Sequence, residues 1–315
     1  MEESAGLSVY LGEALGRYHF GEAHPFGPLR YPAFEQAFRA RGLDRRCVQA
    51  EPVVAGEEAL LRFHTPEYVA RVKAASKLGV GYLDYGDTPA VRGIYEATAF
   101  VVGSVLDGLE RIVRGRTRRV FVPIAGLHHA RRDSAAGFCV FNDCGVAIET
   151  AFSIHGLERV AYVDIDAHHG DGVFYAFESD PRLIFADLHQ DGRTLYPGTG
   201  AAEETGRGPA KGTKLNIPMA PGADDAAFLK QWPRVEAHLE RFQPQIILFQ
   251  CGVDSLRGDP ITAMAYSEHA HAHAAARLRA LADAICEGRL LAMGGGGYDL
   301  DNIARGWNAV VEALV

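Results

Sequence analysis

The stretch VAYVDIDAHHGDGVF, Val160 to Phe174, decides how the rest of the chain is read. It begins as an apolar, β-branched run of the length of a buried strand. It then places Asp164, Asp166, His168, His169 and Asp171 in close succession before a second apolar run. Buried charge is costly unless it is paired or binds a metal, so such a cluster at the end of a core strand points to a metal site. Along an extended chain, Asp164, Asp166 and His168 face the same way.

Similar apolar runs recur on either side. VFVPI (Val120–Ile124), LIFAD (Leu183–Asp187), TKLNIPM (213–219), QIILFQCGV (Gln245–Val253) and LLAMG (Leu290–Gly294) each lead into a polar or glycine-rich loop and then a helical pattern. Shorter strands are predicted at Ser8–Leu11 and around Val48. Helices are predicted at Tyr31–Arg41, at Glu57–Val72 with a break near Thr65-Pro66, and at Ile94–Arg114. Later helices are expected up to about His155, up to Phe177, over about Ala226–Arg241 and Ser267–Glu287, and at the C-terminus. Strands alternating with helices predict one α/β domain over residues 1–315, with a mostly parallel sheet covered on both faces. No repeat or linker divides it. His128-His129, Asp166-His168, Asp187-His189, Asp254 and Tyr298 each follow a different predicted strand. Ligands of open parallel sheets bind beyond the carboxyl ends of the strands, so these residues are expected to converge there.

A net charge of −8 argues against a nucleic-acid-coating or membrane-surface protein. It leaves a basic peptide open as substrate. Five cysteines (Cys47, Cys139, Cys144, Cys251, Cys286) without CxxC spacing read as reduced thiols of a cytoplasmic protein. Glu2 and Glu3 without a following apolar core predict no signal peptide, and no run reaches the roughly 18 apolar residues of a membrane span.

Asp166, His168 and Asp254 offer two carboxylates and an imidazole and leave positions open, the pattern of a catalytic zinc site. Ligand type alone equally admits iron(II), cobalt or manganese. His128 and His129 are the natural proton movers, with Asp164 and Asp171 as spare carboxylates to orient them. Tyr298, after Gly294–Gly297, can donate to a developing oxyanion. Together these groups suit amide hydrolysis.

The motifs GLHHARRDSAAGFCVFND, VDIDAHHGDGV, YPGTG, CGVDSLRGDP and GGGGYDL, with HPFGPLR and YGDTP nearer the start, resemble the zinc-dependent histone deacetylase family, which includes acetoin-utilisation proteins and acetylpolyamine amidohydrolases. The resemblance spans roughly residues 20 to 310 and implies a single arginase-like domain. It also implies one catalytic zinc on Asp166, His168 and Asp254, and His129 as general base and acid beside His128. The same resemblance implies that Asp164 and Asp171 stand behind the two histidines and that Tyr298 polarises the carbonyl. The acyl-lysine tunnel is implied to use Phe138, Tyr196, Gly137 and Gly296, with Asp87 at the rim and Arg30 in an internal cavity. Structural potassium or sodium is implied at two places: Asp164, Asp166, His168, Asp187 and Leu188, and the backbone of Phe177, Asp180, Leu183 and Thr213. The implied substrates are acylated lysine in a peptide or protein, or a small acylated amine.

The chain departs from the family pattern in three places. Asp187 stands where a serine is common, Leu127 where a tryptophan often precedes the tandem histidines, and Tyr196 where phenylalanine is common. A binuclear manganese ureohydrolase on the same fold is the nearest rival, but the second aspartate it requires falls at Gly252. A catalytically dead acyl-amine binder fits poorly with a complete set of ligands, histidines and tyrosine. His269, His271 and His273 invite a second metal site, but a pair at i, i+4 such as His269 and His273 reads as a solvated helix face. The cations from Arg111 to Arg119 read as helix C-terminal charges, Gly294–Gly297 lacks the ending of a phosphate loop, and Cys139 reads as a small buried hydrophobe. His169 receives no role, and self-association into a homo-oligomer stays open.

Overall fold

The computed structural model describes residues 5–315. Glu2 and Glu3, which carry the expectation of no signal peptide, lie outside the described residues. The elements run β1 (Ala5–Tyr10), α1 (Glu13–Gly16), α2 (Arg30–Ala40), β2 (Val48–Ala50), α3 (Glu57–Leu60), α4 (Pro66–Leu78), α5 (Ile94–Val113) and β3 (Thr117–Val122). They continue with α6 (Asp143–Ser153), β4 (Val160–Asp164), α7 (Asp171–Ala176), β5 (Leu183–Gln190), β6 (Lys214–Met219) and α8 (Asp225–Phe242). β7 (Ile246–Gln250), α9 (Glu268–Ile285), β8 (Leu290–Met293) and α10 (Leu300–Leu314) complete the chain.

Local chemistry sets several boundaries. The expected break at Thr65-Pro66 is a helix start: Thr65 caps α4 by accepting from Tyr68 N, and Pro66 takes the first turn, where its missing N–H is no loss. Asn142, Asp224, Ser267 and Asp299 cap α6, α8, α9 and α10 in the same manner.

The eight strands form one sheet in the order β2-β1-β3-β8-β7-β4-β5-β6. Every pairing is parallel, so the sheet expected to be mostly parallel is wholly so among the described residues. β4, β5, β7 and β8 are buried at every position, which is why they read as unbroken apolar runs. α5 lies against β3, β8 and α6, whereas α8 covers β5 and β6 and α9 covers β7 and β8. One boundary corrects the sequence reading. β5 stays paired with β6 as far as Gln190 opposite Met219, so the strand runs past its predicted end at Asp187 and takes in His189.

The strand order explains how distant residues meet. β3, β8, β7 and β4 are consecutive neighbours, and the segments after them carry His128-His129, Tyr298, Asp254 and Asp166-His168. Trp307 of α10 packs edge-on against Phe34 and Phe121 and donates Nε1–H to Gly294 O at 2.7 Å, fixing the glycine loop after β8.

Gly103 shows how tightly α5 is seated. A Cβ there would lie 2.1 Å from Val53 O and 2.4 Å from Ala55 N. Alanine ordinarily stabilises a helix interior by about 1 kcal/mol over glycine. Here the clash is with backbone, so Gly103→Ala is expected to destabilise the protein by about 1–3 kcal/mol, read from urea unfolding.

Candidate metal centre and active site

β4 delivers Asp164 at its last position, and the chain then carries Asp166, His168 and Asp171 across the sheet end. Asp166, His168 and Asp254 are buried, and one ligand atom from each lies within 4.8 Å of the others. His168 Nδ1 is 3.1 Å from Asp166 Oδ1 and 2.9 Å from Asp254 Oδ2. The other Asp166 oxygen accepts from Gln250 Nε2 and from Gly296 N, both at 2.8 Å, while Asp254 Oδ1 accepts from Ala167 N at 2.8 Å. The cluster is an array of acceptors whose outer oxygens are fixed by N–H donors and whose inner atoms face one another. Burial raises both carboxyls' pKa values, but the charge of His128 and the bond to His168 hold Asp166 low. Asp254, facing Asp166, is pushed up to about 7. Such a donor set is completed by a divalent cation, and the residues fit one.

The room is for one such ion. A Cβ at Gly252 would come 2.1 Å from Asp166 Oδ2, and one at Gly296 would come 2.3 Å from Asp254 Oδ2. The position where a second aspartate would have to stand is therefore filled by the first ligand itself. His271, fully buried on α9, holds Gly252 O from its Nε2 at 2.7 Å. His269 is exposed and His273 half-buried. The three histidines of α9 form no cluster, and Asp166, His168 and Asp254 are the one candidate metal group among the described residues.

His128 Nδ1 lies 2.8 Å from Asp164 Oδ2, and His129 Nδ1 lies 2.7 Å from Asp171 Oδ1. The two Nε2 atoms are 3.1 Å apart, so one of them carries the proton. Burial disfavours charge on both. At His128 the carboxylates of Asp164 and Asp166 outweigh burial and raise its pKa, whereas His129 is lowered by burial and then by the charge of His128. The pair therefore splits into a charged His128 donating to a neutral His129, whose Nδ1–H donates to Asp171.

Tyr298, Phe26, Leu127, Gly137, Cys139 and Gly295 close around these groups, leaving about 10 Å³ of free space. Tyr298 is held by its own backbone, whose N–H donates to Asp259 Oδ2 at 2.8 Å. Phe138 meets Tyr298 edge-on with centroids 5.7 Å apart, and Tyr196 meets His129 at 5.1 Å. Gly137 has φ +52°, and a Cβ on it would lie 2.5 Å from His129 Cδ2. Outside, a cavity of about 790 Å³ is lined by Arg71, Asp84, Asp87, Arg131, Asp133 and Tyr196 and reaches inward to Gly137. Asp84 Oδ1 accepts from the N–H groups of Gly86, Asp87 and Thr88, which pins this loop. A second cavity, about 490 Å³, is lined by Arg30, Tyr298, His24 and the exposed Leu29 and Leu300, so the cavity at Arg30 opens to the surface. Arg30 is buried, donates to Gly297 O and Gly295 O, stacks on Phe26, and has an unpartnered Nη1.

The residues expected to hold monovalent cations are placed less simply. Asp187 spends its oxygens on Gly170 N (2.9 Å) and His189 Nδ1 (2.7 Å), so it has an internal counter-charge; Leu188 follows it in β5. At the other end of β5, the ammonium of Lys214 sits against Asp180 O, Leu183 O and Thr213 Oγ1, the last turn of α7 ending nearby at Phe177. His169 has a structural place: its Nδ1 bonds Thr199 Oγ1 at 2.8 Å and its ring packs on Phe174 and His189. Sequence reasoning passed over Gln250, Asp259 and Asp143, whose carboxylate takes the N–H groups of Gly126 and Leu127 at 2.7 Å, and gave His271 no part in the site. Gln250 carried a signal, as a polar residue ending an apolar strand beside the ligand loops.

The chain matches the family model described as Histone deacetylase domain over residues 24–314. It is 33% identical to Acetoin utilization protein AcuC of Bacillus subtilis over 302 residues, covering 92% of this chain and 77% of that protein. It is 32% identical to Histone deacetylase RPD3 of Saccharomyces cerevisiae over 314 residues, covering 96% and 70% respectively. Among solved structures, the HDA15 HD domain matches with a TM-score of 0.90 at 28% identity, covering 98% of this chain and 89% of that one.

Metal analysis is expected to find a single transition ion per chain. Gly252→Ala, which drives a methyl group into Asp166, is expected to weaken metal retention by about 10–100-fold in competition with a chelator. Unchanged retention would show that Asp166 is not a ligand.

Proposed function

The chain belongs to the histone deacetylase family, and from that premise we propose that it hydrolyses the amide of an acylated lysine at a single divalent metal, zinc before others. The observation that carries this reading is the buried Asp166–His168–Asp254 set lying beside two histidines that each lean on a carboxylate. Asp166, His168 and Asp254 would hold the ion. When bound, it supplies Lewis acidity, polarising the acyl carbonyl and acidifying a water molecule.

The chain's own residues do the rest. Neutral His129 keeps its Nδ1–H on Asp171 and exchanges the hydrogen bond that its Nε2 accepts from His128 at rest for a proton of the attacking water. As the C–N bond breaks, the same nitrogen returns the proton to the leaving amine. Charged His128, held by Asp164, stabilises the negative charge gathering beside it. Tyr298 keeps its phenol proton, because burial and the carboxylates Asp254 and Asp166 raise its pKa far above 10, and donates it as a hydrogen bond to the carbonyl oxygen. Phe138 and Tyr196 flank the alkyl stem, Gly137 and Gly296 give it close backbone approach, and Asp87 receives substrate N–H groups at the rim. Arg30, buried beside Tyr298 with a free Nη1, suits the carboxylate product.

The wide, carboxylate-bearing rim favours a lysine displayed on a peptide over a small free amine. The similarity to acetoin-utilisation protein AcuC supports carrying acetylated small amines as the alternative. Structural potassium or sodium remains a reading for the Asp164–Leu188 region only. Five unpaired cysteines support a reducing compartment such as the cytoplasm, and among the described residues no helix is long and apolar enough to cross a membrane.

Turnover on metal-loaded protein of acetyl-lysine peptide, longer acyl-lysine peptides and acetylpolyamines tests the substrate class; a preference for the polyamines would overturn the peptide reading. Tyr298→Phe is expected to lower kcat by about 10²–10³, with metal content unchanged. A turnover near that of the parent would remove the tyrosine from the chemistry. Asp87 gives a pH signature. Burial, then the hydrogen bond and charge of Asp84, raise its pKa to about 6, so acidification through that value protonates it and removes the acceptor. KM for a peptide substrate is expected to climb between pH 7 and 5.5, and Asp87→Asn to start high and lack that climb.

A further inference from the structure

Lys214 begins β6 and is almost fully buried at 2% exposure. Its Nζ donates to Leu183 O at 2.6 Å, Asp180 O at 2.9 Å and Thr213 Oγ1 at 3.0 Å. The Thr213 hydroxyl spends its own proton on Ala210 O at 2.8 Å, so it meets the ammonium with a lone pair. All three N–H bonds of the ammonium are thus used, and all three acceptors are neutral oxygens. Among the described residues no carboxylate is paired with it. The nearest candidate, the side chain of Asp180, is occupied by the guanidinium and backbone N–H of Arg182.

A buried cation is ordinarily matched by a carboxylate. One held only by carbonyl and hydroxyl oxygens has the surroundings of a potassium or ammonium ion, which are alike in charge and size. Asp180, Leu183 and Thr213 belong to the set for which family resemblance implies a backbone-held monovalent cation, and here the two do not fit together. Two carbonyls face the lysine, while Thr213 O is already taken by Phe185 N (3.0 Å) and His238 Nε2 (3.1 Å). Burial lowers the Lys214 pKa to about 8, opposed by the charge of Asp180, so the group is charged at pH 7.

We propose that the ammonium of Lys214 is a tethered structural cation that takes the place of a potassium ion at the junction of α7, β5 and β6. The three acceptors come from the turn after α7, the first residue of β5 and the residue preceding β6, so one side chain fastens three segments. Because it is covalently held, its occupancy does not depend on the ions in solution.

The test compares thermal unfolding of the wild-type chain, Lys214→Ser and Lys214→Met, metal-loaded, as KCl replaces tetramethylammonium chloride at constant ionic strength. Lys214→Ser removes the ammonium and leaves room for an ion. It is expected to melt lower than wild type in tetramethylammonium and to recover saturably with potassium, as a bound ligand requires, by more than any increment wild type shows. Lys214→Met fills the space with an apolar group and is expected to recover no more than wild type. Equal potassium increments in wild type and Lys214→Ser would overturn the proposal. Crystals of the wild-type chain grown with RbCl give a second reading that needs no variant to fold. No anomalous rubidium peak is expected between Asp180 O and Leu183 O, and a peak there would overturn it.

Discussion

The structure turns on one electrostatic constraint. Asp164, Asp166, Asp171, Asp187 and Asp254 are all withdrawn from water within a small region at one end of the sheet. Carboxylates so placed repel one another and lose hydration, and each is stable only if a cation or a set of N–H donors meets it. The fold answers each separately. Asp164 and Asp171 face histidines, Asp187 faces His189, and Asp254 and Asp166 share His168 and an open position for a metal. The same crowding explains the glycines. At Gly137, Gly252 and Gly296 a single methyl group would enter the space of His129, Asp166 or Asp254, so backbone takes the position where any side chain would displace a functional atom.

Sheet topology is what makes this crowding attainable. The four strands feeding the site are neighbours in space although β3 and β8 are separated by most of the chain. A parallel arrangement points all their carboxyl ends the same way. Residues at the strand ends are then brought close by pairing that is itself specified by apolar runs far from the chemistry. This separates the two demands on the sequence: buried strand interiors hold the sheet together, and the loops beyond are free to carry charge.

That separation governs what could be read from sequence. The strands were legible because burial on both faces leaves an apolar signature. Thr65-Pro66 was legible as an interruption of helix, and the structure makes it the capped start of α4. The convergence of His128, His129, Asp166, His168, Asp254 and Tyr298 followed from strand ends alone. Supporting groups were not legible, since their partners are distant in sequence. Nothing near His271 announces Gly252 O, and the i, i+4 spacing drew attention to His269 and His273, whereas the buried member of the set lies between them. His189 was placed beyond its strand because the apolar run stops at Asp187. β5 continues through it by pairing with β6, and His189 meets Asp187 two residues back on the same face of the strand.

Lys214 illustrates the same limit and adds a consequence. In sequence it is an unremarkable polar residue at the start of a strand, and only the carbonyls of a turn some thirty positions earlier give it meaning. It acts at the amino ends of β5 and β6, the opposite end of the sheet from the catalytic groups. An exchangeable ion there would make the seating of α7, and with it Asp171 behind His129, sensitive to ion concentration through mass action. A lysine exchanges that sensitivity for a fixed loss of side-chain entropy, about 1.5–2 kcal/mol, borne once on folding. The metal needed for chemistry stays exchangeable, while the charge that sets the scaffold does not.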